Sequence, residues 1–170
     1  MGSNWLLIAR IVLRVVLVAT PVVLASLIAL NTRSNAHPDE FMHLDAFEYF
    51  GAHWLRPALG SDQVQYSING ISRVYNGEIV YLLYGKLGYL PRRIWPKVEP
   101  YYIYRSCNVA LLLVTLTLLA VARCKWFAPW LLAVFLFCIP QVIYLYSYAN
   151  SDAFGITASV LLFLQAAQRE

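Results

Sequence analysis

Long blocks of apolar residues constrain this chain more than any other feature. Residues 11–30 read IVLRVVLVATPVVLASLIAL, and further apolar blocks occupy residues 103–122, 126–148 and 153–167. A helix needs about 20 mainly apolar residues to cross a bilayer. Only 13% of the chain is charged and 60% is hydrophobic, whereas soluble domains carry roughly 25% charged residues. The sequence therefore predicts an all-α integral membrane protein with about four transmembrane helices.

Residues 31–102 separate the first two predicted spans and are rich in aromatic residues. Two stretches within them, 39–55 and 72–90, are typical of helices that lie on or dip into a membrane surface. The apolar core of the second stretch, 79–90, is too short to cross a bilayer. We expect this segment to be an outer loop with two juxtamembrane helices, and the whole chain, 1–170, to be a single membrane domain.

Basic residues in short loops favour the cytoplasmic side of a membrane. With four spans, one side would carry Arg10, Arg14, Arg123, Lys125 and Arg169. We therefore expect a cytoplasmic N-terminus, with residues 31–102 and the turn at 147–153 on the outer side. A cleaved signal peptide ending at the Ser34–Ala36 triplet is the alternative, but the apolar run is long for a signal region.

Charge and cysteine usage exclude some classes of protein. The net charge of +4 comes from scattered single Arg and Lys residues, so no basic stripe for nucleic acid is present and no nucleic-acid partner is expected. Three cysteines lie in or beside apolar runs, and this placement implies no disulfide framework.

The stretch HPDEFMHLDAFEYF, residues 37–50, places four carboxylates and two histidines directly after the first span. Acidic residues suit the positive start of a helix, so Asp39 and Glu40 could serve only to start one. At about 100° per residue, Asp39 and His43 share a face with aromatics, which are Phe47, Phe50 and Trp54. We expect this face to turn toward a protein-lined cleft and Asp45 and Glu48 to face solvent.

Three chemistries could use these residues. Asp39 could act as a general base that takes a proton from an acceptor hydroxyl. Asp39, Glu40 and His43 could instead hold a divalent cation, Mg²⁺ or Mn²⁺, that neutralises a phosphate leaving group. A zinc hydrolase is the least favoured, because the helical H-E-x-x-H pattern is absent from the stretch.

A second acidic motif, YANSDAFG, lies between the last two predicted spans. Asn150 could cap the next helix, with Asp152 in its first turn. The expected topology nevertheless places Asp152 on the same outer face as Asp39. Together the two motifs could hold a metal, with Asp152 joining Asp39, Glu40 and His43, or the phosphate of a lipid-linked donor. Arginines expected on that face could contact the phosphate, and these are Arg56, Arg73, Arg92, Arg93 and Arg105.

The order of these motifs resembles the GT-C superfamily of integral-membrane glycosyltransferases. The resemblance lies in a first span followed at once by Asp39 and Glu40, a long outer loop with juxtamembrane helices, and a short second outer loop carrying Asp152. It implies that Asp39 is the catalytic residue and that Asp152, with Asn150 beside it, helps bind metal or donor phosphate. The pairing of the 37–43 and 150–153 motifs is also similar to a bacterial branch grouped with these enzymes, which implies a bacterial inner membrane.

The resemblance further implies a polyprenyl-phosphate-linked sugar as donor and membrane lipid as surroundings. The shared core of that superfamily has seven spans, so we expect this chain to be the N-terminal part of a longer protein. The expected function is sugar transfer to an extracytoplasmic acceptor. The alternative is a non-catalytic small membrane subunit of an assembly or transport complex, with a membrane-protein partner, in which both acidic motifs are only helix caps.

Overall fold

The computed structural model describes residues 2–58, 60–61, 66–67, 70–124 and 128–168. Its α-helices, in chain order, are α1 (Gly2–Asn31), α2 (Glu40–Ala52), α3 (Ile79–Ile94), α4 (Pro100–Val121), α5 (Pro129–Phe137), α6 (Pro140–Ser147) and α7 (Asp152–Gln168). A 3-10 helix, Arg73–Asn76, precedes α3. Two short antiparallel strands, β1 (Tyr66–Ser67) and β2 (Gly70–Ile71), lie between α2 and the 3-10 helix. The predicted helical fold class is confirmed, with this small pair of strands as an addition.

Among the residues that the structure describes, two helices are long and apolar enough to cross a membrane. They are α1, over Trp5–Asn31, and α4, over Pro100–Val121, and they contain the predicted spans at 11–30 and 103–122. The first helix starts well before the predicted span and continues through Pro21 as one helix. The predicted fourth span, 153–167, corresponds to α7, an apolar helix of 17 residues, which is shorter than the two candidates.

The predicted third span, 126–148, is not one continuous helix. Its first two residues lie outside the described residues, and the remainder forms α5 and α6, which are bent by 80° relative to each other. The break comes immediately before Pro140, which has no backbone N–H for the helix ladder and disfavours helical geometry in the preceding residue. The described residues thus hold two candidate spans, or three if α5 and α6 form one broken span. The count of four stays a prediction.

The chain divides into two compact units. The first contains α1 up to Ile28, α4 from Val109, and the helices α5, α6 and α7. Its core is aliphatic, with Leu116 and Leu119 almost fully buried. Within this core the Thr157 hydroxyl lies 3.0 Å from that of Thr115 and 2.8 Å from that of Tyr146, so the polar groups there satisfy one another.

The second unit contains Ala29–Asn108 and Tyr148–Ser151. Helices α2 and α3 meet in it at two glycines, because a β-carbon on Gly85 would lie only 2.6 Å from the backbone nitrogen of Gly51. Aromatic rings fill the space beside this contact, where the fully buried Phe47 ring packs on three tyrosine rings with centroids 4.9–5.4 Å away. This unit draws on the predicted outer loop, the start of α4 and the turn before α7.

Candidate functional site

The candidate site lies at the start of α2, within the second unit. It consists of six side chains, which we call the α2 N-terminal cluster: Asp39, Glu40, His43, Arg73, Tyr81 and Arg105. The sequence predicted five of them as site residues, and Tyr81 is the addition. Two of the elements that supply them, α2 and α3, are held in contact by Gly51 and Gly85.

Asp39 is the N-cap residue of α2, but its side chain makes no capping hydrogen bond. Its backbone is left-handed, with φ 56° and ψ 8°, a conformation that is uncommon outside glycine and that Asp tolerates better than most residues. Its carboxylate lies 3.6 Å from the Arg73 guanidinium, and the two side chains are 39% and 30% exposed. The carboxylate is therefore accessible and is not used to start the helix.

Glu40, the next residue, has the opposite environment. It is fully buried, and Arg105 donates to both of its carboxylate oxygens over 2.8 and 2.7 Å. Backbone N–H groups of Asn35 and Ala149 each donate to it over 3.1 Å. Burial by itself would raise the pKa of Glu40, but these hydrogen bonds and the Arg105 charge outweigh it and lower that pKa. Glu40 is thus an ionised structural anion in this arrangement.

The predicted role of Arg105 as a phosphate contact needs correction. A guanidinium has five N–H donors, and Arg105 uses two of them on Glu40. The others donate to backbone carbonyls at the end of α1 and in the turn after it, those of Ala29, Thr32 and Arg33, over 2.7–3.0 Å. Since all five donors have protein acceptors and the side chain is buried, none is left for a phosphate.

His43 and Tyr81 form a buried pair beside Asp39 and Arg73. The Tyr81 hydroxyl lies 3.1 Å from Nδ1 of His43. Burial first, and then the Arg73 charge, lower the pKa of His43 to about 4, so its imidazole is neutral at pH 7. Burial also raises the pKa of Tyr81, which keeps the phenol protonated. The pair offers neutral hydrogen-bonding groups and no charge.

The turn before α7 contributes backbone to the same unit. The Asn108 amide donates to the carbonyls of Tyr148 and Asn150, and the Asn150 amide donates to the Tyr148 carbonyl over 2.9 Å. The Tyr148 ring stacks on His37 with a centroid distance of 4.7 Å. Asn150 is fully buried, so its side chain shapes this turn in the structure. Its predicted part in binding a metal or the donor phosphate stays a prediction.

The remaining predicted residues are more dispersed. Arg56 is exposed, with its guanidinium 5.7 Å from the centre of the Tyr75 ring. Asp152 is exposed and begins α7 in the first unit, so its meeting with Asp39 stays a prediction. Trp54 was expected on the buried face of α2, but the helix ends at Ala52 and Trp54 is 71% exposed.

The predicted divalent cation fits this arrangement poorly. The Glu40 carboxylate is already neutralised by Arg105, and Nδ1 of His43 faces Tyr81. Across the described ranges, no group of three or more His, Cys, Asp or Glu residues is placed to hold a metal ion. Asp39 has an arginine as its charged neighbour, an arrangement that suits a phosphate more than a second cation.

Two features of the α2 N-terminal cluster could not be predicted from the sequence. Tyr81 lies in an apolar run and carries no signal of its own, and the pairing of Glu40 with Arg105 joins residues 65 positions apart. One signal was present: Arg105 is a charged residue near the start of a predicted span, and such residues are costly unless they are paired. That cost indicates a buried partner but does not identify Glu40.

Comparisons with known proteins add no relative. No protein-family model matches the chain, and the searches of curated proteins and of solved structures found no match.

Proposed function

We propose that the protein is an integral-membrane glycosyltransferase of the GT-C type, in which Asp39 is the general base. It would move a sugar from a polyprenyl-phosphate donor to an extracytoplasmic acceptor. One observation carries the proposal: the Asp39 carboxylate is accessible, makes no capping hydrogen bond and lies 3.6 Å from Arg73. An Asp held in a left-handed conformation beside a partly exposed arginine is the kind of strained arrangement that clusters at functional sites.

In the proposed reaction the acceptor hydroxyl oxygen attacks the anomeric carbon of the donor sugar. Asp39 takes the hydroxyl proton as the new C–O bond forms, and the bond between the sugar and the phosphate oxygen breaks. The leaving group is the polyprenyl phosphate, whose developing charge Arg73 would stabilise. The ion pair of Arg73 with Asp39 is partly exposed and therefore weak, worth about 0–1 kcal/mol, so a phosphate can replace the carboxylate.

The proposal includes a membrane arrangement. Helices α1 and α4 cross the bilayer, the α5 and α6 pair forms a broken span, and α7 forms a fourth, with the N-terminus in the cytoplasm. The α2 N-terminal cluster and Asp152 then face the outer side of a bacterial inner membrane. The apolar lengths of α1 and α4 support the first two spans. The positions of Arg10, Arg14 and Arg123 support the orientation.

The test is the variant Asp39→Asn in the full-length protein. We expect it to abolish sugar transfer and leave membrane insertion intact, because the amide keeps the size of the side chain but cannot accept the hydroxyl proton. The measurement is transfer of radiolabelled sugar from a polyprenyl-phosphate donor in proteoliposomes. Asp45→Asn is the matched control, since Asp45 lies on the same helix with an exposed side chain, and it should retain activity. Wild-type activity in Asp39→Asn would remove Asp39 from the mechanism.

One observation favours the non-catalytic alternative, a small subunit of a membrane assembly. Half of the acidic pair, Glu40, has a purely structural set of contacts. If the pair as a whole were structural, Asp39→Asn would leave the protein's function intact. It would lower the free energy of unfolding by no more than the value of a surface ion pair, about 0–1 kcal/mol. Wild-type protein would also show no transfer with any polyprenyl-phosphate sugar, which the same assay measures.

A further inference from the structure

A basic cavity lies between the end of α3 and the start of α4, and no residue of the α2 N-terminal cluster lines it. Its volume is about 340 Å³, within the roughly 300–1,000 Å³ of small-molecule sites. The charged residues that line it are Arg92, Arg93, Lys97 and Glu99. Three cations against one anion give the lining a net charge of +2, which favours an anionic ligand.

The cations of the cavity are not equally available. Arg92 is committed in part to Glu48, at 3.1 Å. Arg93 lies over the ring of Tyr89, with its guanidinium carbon 4.8 Å from the ring centre, and this contact helps to orient the group. Lys97 is exposed on the link between the helices. Arg93 and Lys97 are therefore the residues with charge to offer a ligand.

An exposed apolar strip runs along α3, and Leu90 of this strip is three positions before Arg93 of the cavity, so the two residues are neighbours on the helix surface. Leu87, Leu90 and Ile94 are 62%, 63% and 56% exposed, and Trp95 after them is 58% exposed. Positions three, four and seven apart lie on one face of a helix. Tryptophan is typical of the boundary between lipid and water, and the candidate span α4 starts at Pro100, directly beside the cavity. A ligand that matches both features carries a phosphate and long apolar chains.

We propose that the cavity binds the phosphate of an anionic membrane lipid through Arg93 and Lys97, with the lipid chains along the exposed strip of α3. The inference rests on the membrane location of α4 given in the proposed function and is independent of the chemistry at Asp39. The bound molecule is therefore a lipid of the membrane that surrounds the protein, and it is a different ligand from the sugar donor.

The experiment measures binding of phosphatidylglycerol to the full-length protein in detergent micelles by microscale thermophoresis. Each basic residue near a surface is worth about fivefold in affinity for anionic lipid, so Arg93→Gln with Lys97→Gln should weaken binding roughly 30-fold. The matched control is Arg33→Gln with Arg123→Gln, which removes the same charge from two exposed arginines outside the cavity. The affinity of the control for phosphatidylglycerol should lie within about twofold of the wild-type value, because exposed charges outside the cavity are screened by salt.

Other arms of the experiment separate the sources of the ligand. Phosphatidylcholine with the same chains should bind more weakly than phosphatidylglycerol, and inorganic phosphate should not displace the lipid. The proposal would be overturned if both lipids bound equally well or if inorganic phosphate displaced the lipid. It would also be overturned if the two double variants lost the same amount of lipid affinity. If the double variant does not fold, Lys97→Gln alone, at an exposed site, should still weaken phosphatidylglycerol binding about fivefold. Asp39→Asn should leave lipid binding unchanged, which separates this proposal from the proposed function.

Discussion

Asp39 and Glu40 are adjacent in the chain, but their carboxylates lie in opposite environments. Glu40 is fully buried and receives hydrogen bonds from Arg105 and from two backbone N–H groups, whereas Asp39 is 39% exposed with one arginine nearby. Buried charges persist only when they are paired and hydrogen-bonded. Glu40 at the start of α2 is therefore joined to the turn after α1, to α4 and to the turn before α7, and Asp39 is left accessible.

Replacing Glu40 with Gln should destabilise the protein strongly. The amide keeps the size of the side chain but leaves the Arg105 charge buried without a counter-charge, which costs about 3–5 kcal/mol. The control Glu48→Gln removes a partly exposed partner of Arg92 and should cost about 0–1 kcal/mol. Thermal unfolding in detergent, followed by circular dichroism, measures both. Equal unfolding temperatures for the two variants would contradict the structural role of Glu40.

The same pair predicts a pH dependence at the acidic end. The folded-state pKa of Glu40 is lowered, so the unfolded chain binds a proton at higher pH than the folded protein. The stability that the pair supplies is complete at neutral pH. It should decline as the pH falls below about 4.3, the ordinary pKa of Glu, and continue to decline toward the lower folded-state value. In Glu40→Gln this part of the decline should be missing.

At the scale of elements, the contact between α2 and α3 depends on the absence of a side chain. A β-carbon on Gly85 would lie 2.5 Å from the Phe47 carbonyl oxygen and 2.6 Å from the Gly51 nitrogen. These are backbone atoms of the facing helix, so they cannot move aside as a side chain can. The two glycines let α2 and α3 approach closely, and α2 carries two members of the α2 N-terminal cluster, Glu40 and His43, with Asp39 as its N-cap residue.

Gly85→Ala should therefore destabilise the second unit, although alanine is the better helix former. Overpacking costs about 1–3 kcal/mol, which exceeds the gain in helix propensity of about 1 kcal/mol. Gly155→Ala is the matched control, because no atom lies within 4 Å of its added β-carbon, and it should be neutral or stabilising. Thermal unfolding compares the two variants, and a Gly85→Ala protein as stable as Gly155→Ala would show that the helices are not held this closely.

Elements were predictable from the sequence where one local property decides them. Apolar length locates α1 and α4, and the run around residues 79–90 locates α3, because each depends on neighbours in the chain. The 80° bend between α5 and α6 was within reach, since Pro140 marks it, but proline in a membrane helix is compatible with either a kink or a break. The close contact at Gly51 and Gly85 depends on which helices pair, which a single sequence does not encode locally.

At the scale of the whole molecule, the candidate site could be predicted only in part. The sequence singles out Asp39, Glu40, His43 and Arg73, because charged residues beside apolar blocks are conspicuous. It does not separate the accessible Asp39 from the buried Glu40, since that difference arises from Arg105, 65 positions further along the chain. Asp152 belongs to a different compact unit from Asp39, so their relation depends on how the chain crosses the membrane.

Sidedness is therefore the property of the whole molecule that the proposed function requires. Single cysteines at positions 39 and 152, in a protein whose Cys107, Cys124 and Cys138 are replaced by serine or alanine, should both react with a membrane-impermeant maleimide added to the outer side of intact cells. Both positions have exposed or half-exposed side chains. A failure to react would therefore mean that the position lies on the inner side of the membrane, and not that its side chain is buried in the protein. Arg123→Cys, on the link after α4, is the internal control and should react only after the membrane is permeabilised. Labelling of position 152 only after permeabilisation would place the two acids on opposite sides, and a shared site for donor and acceptor would then be excluded.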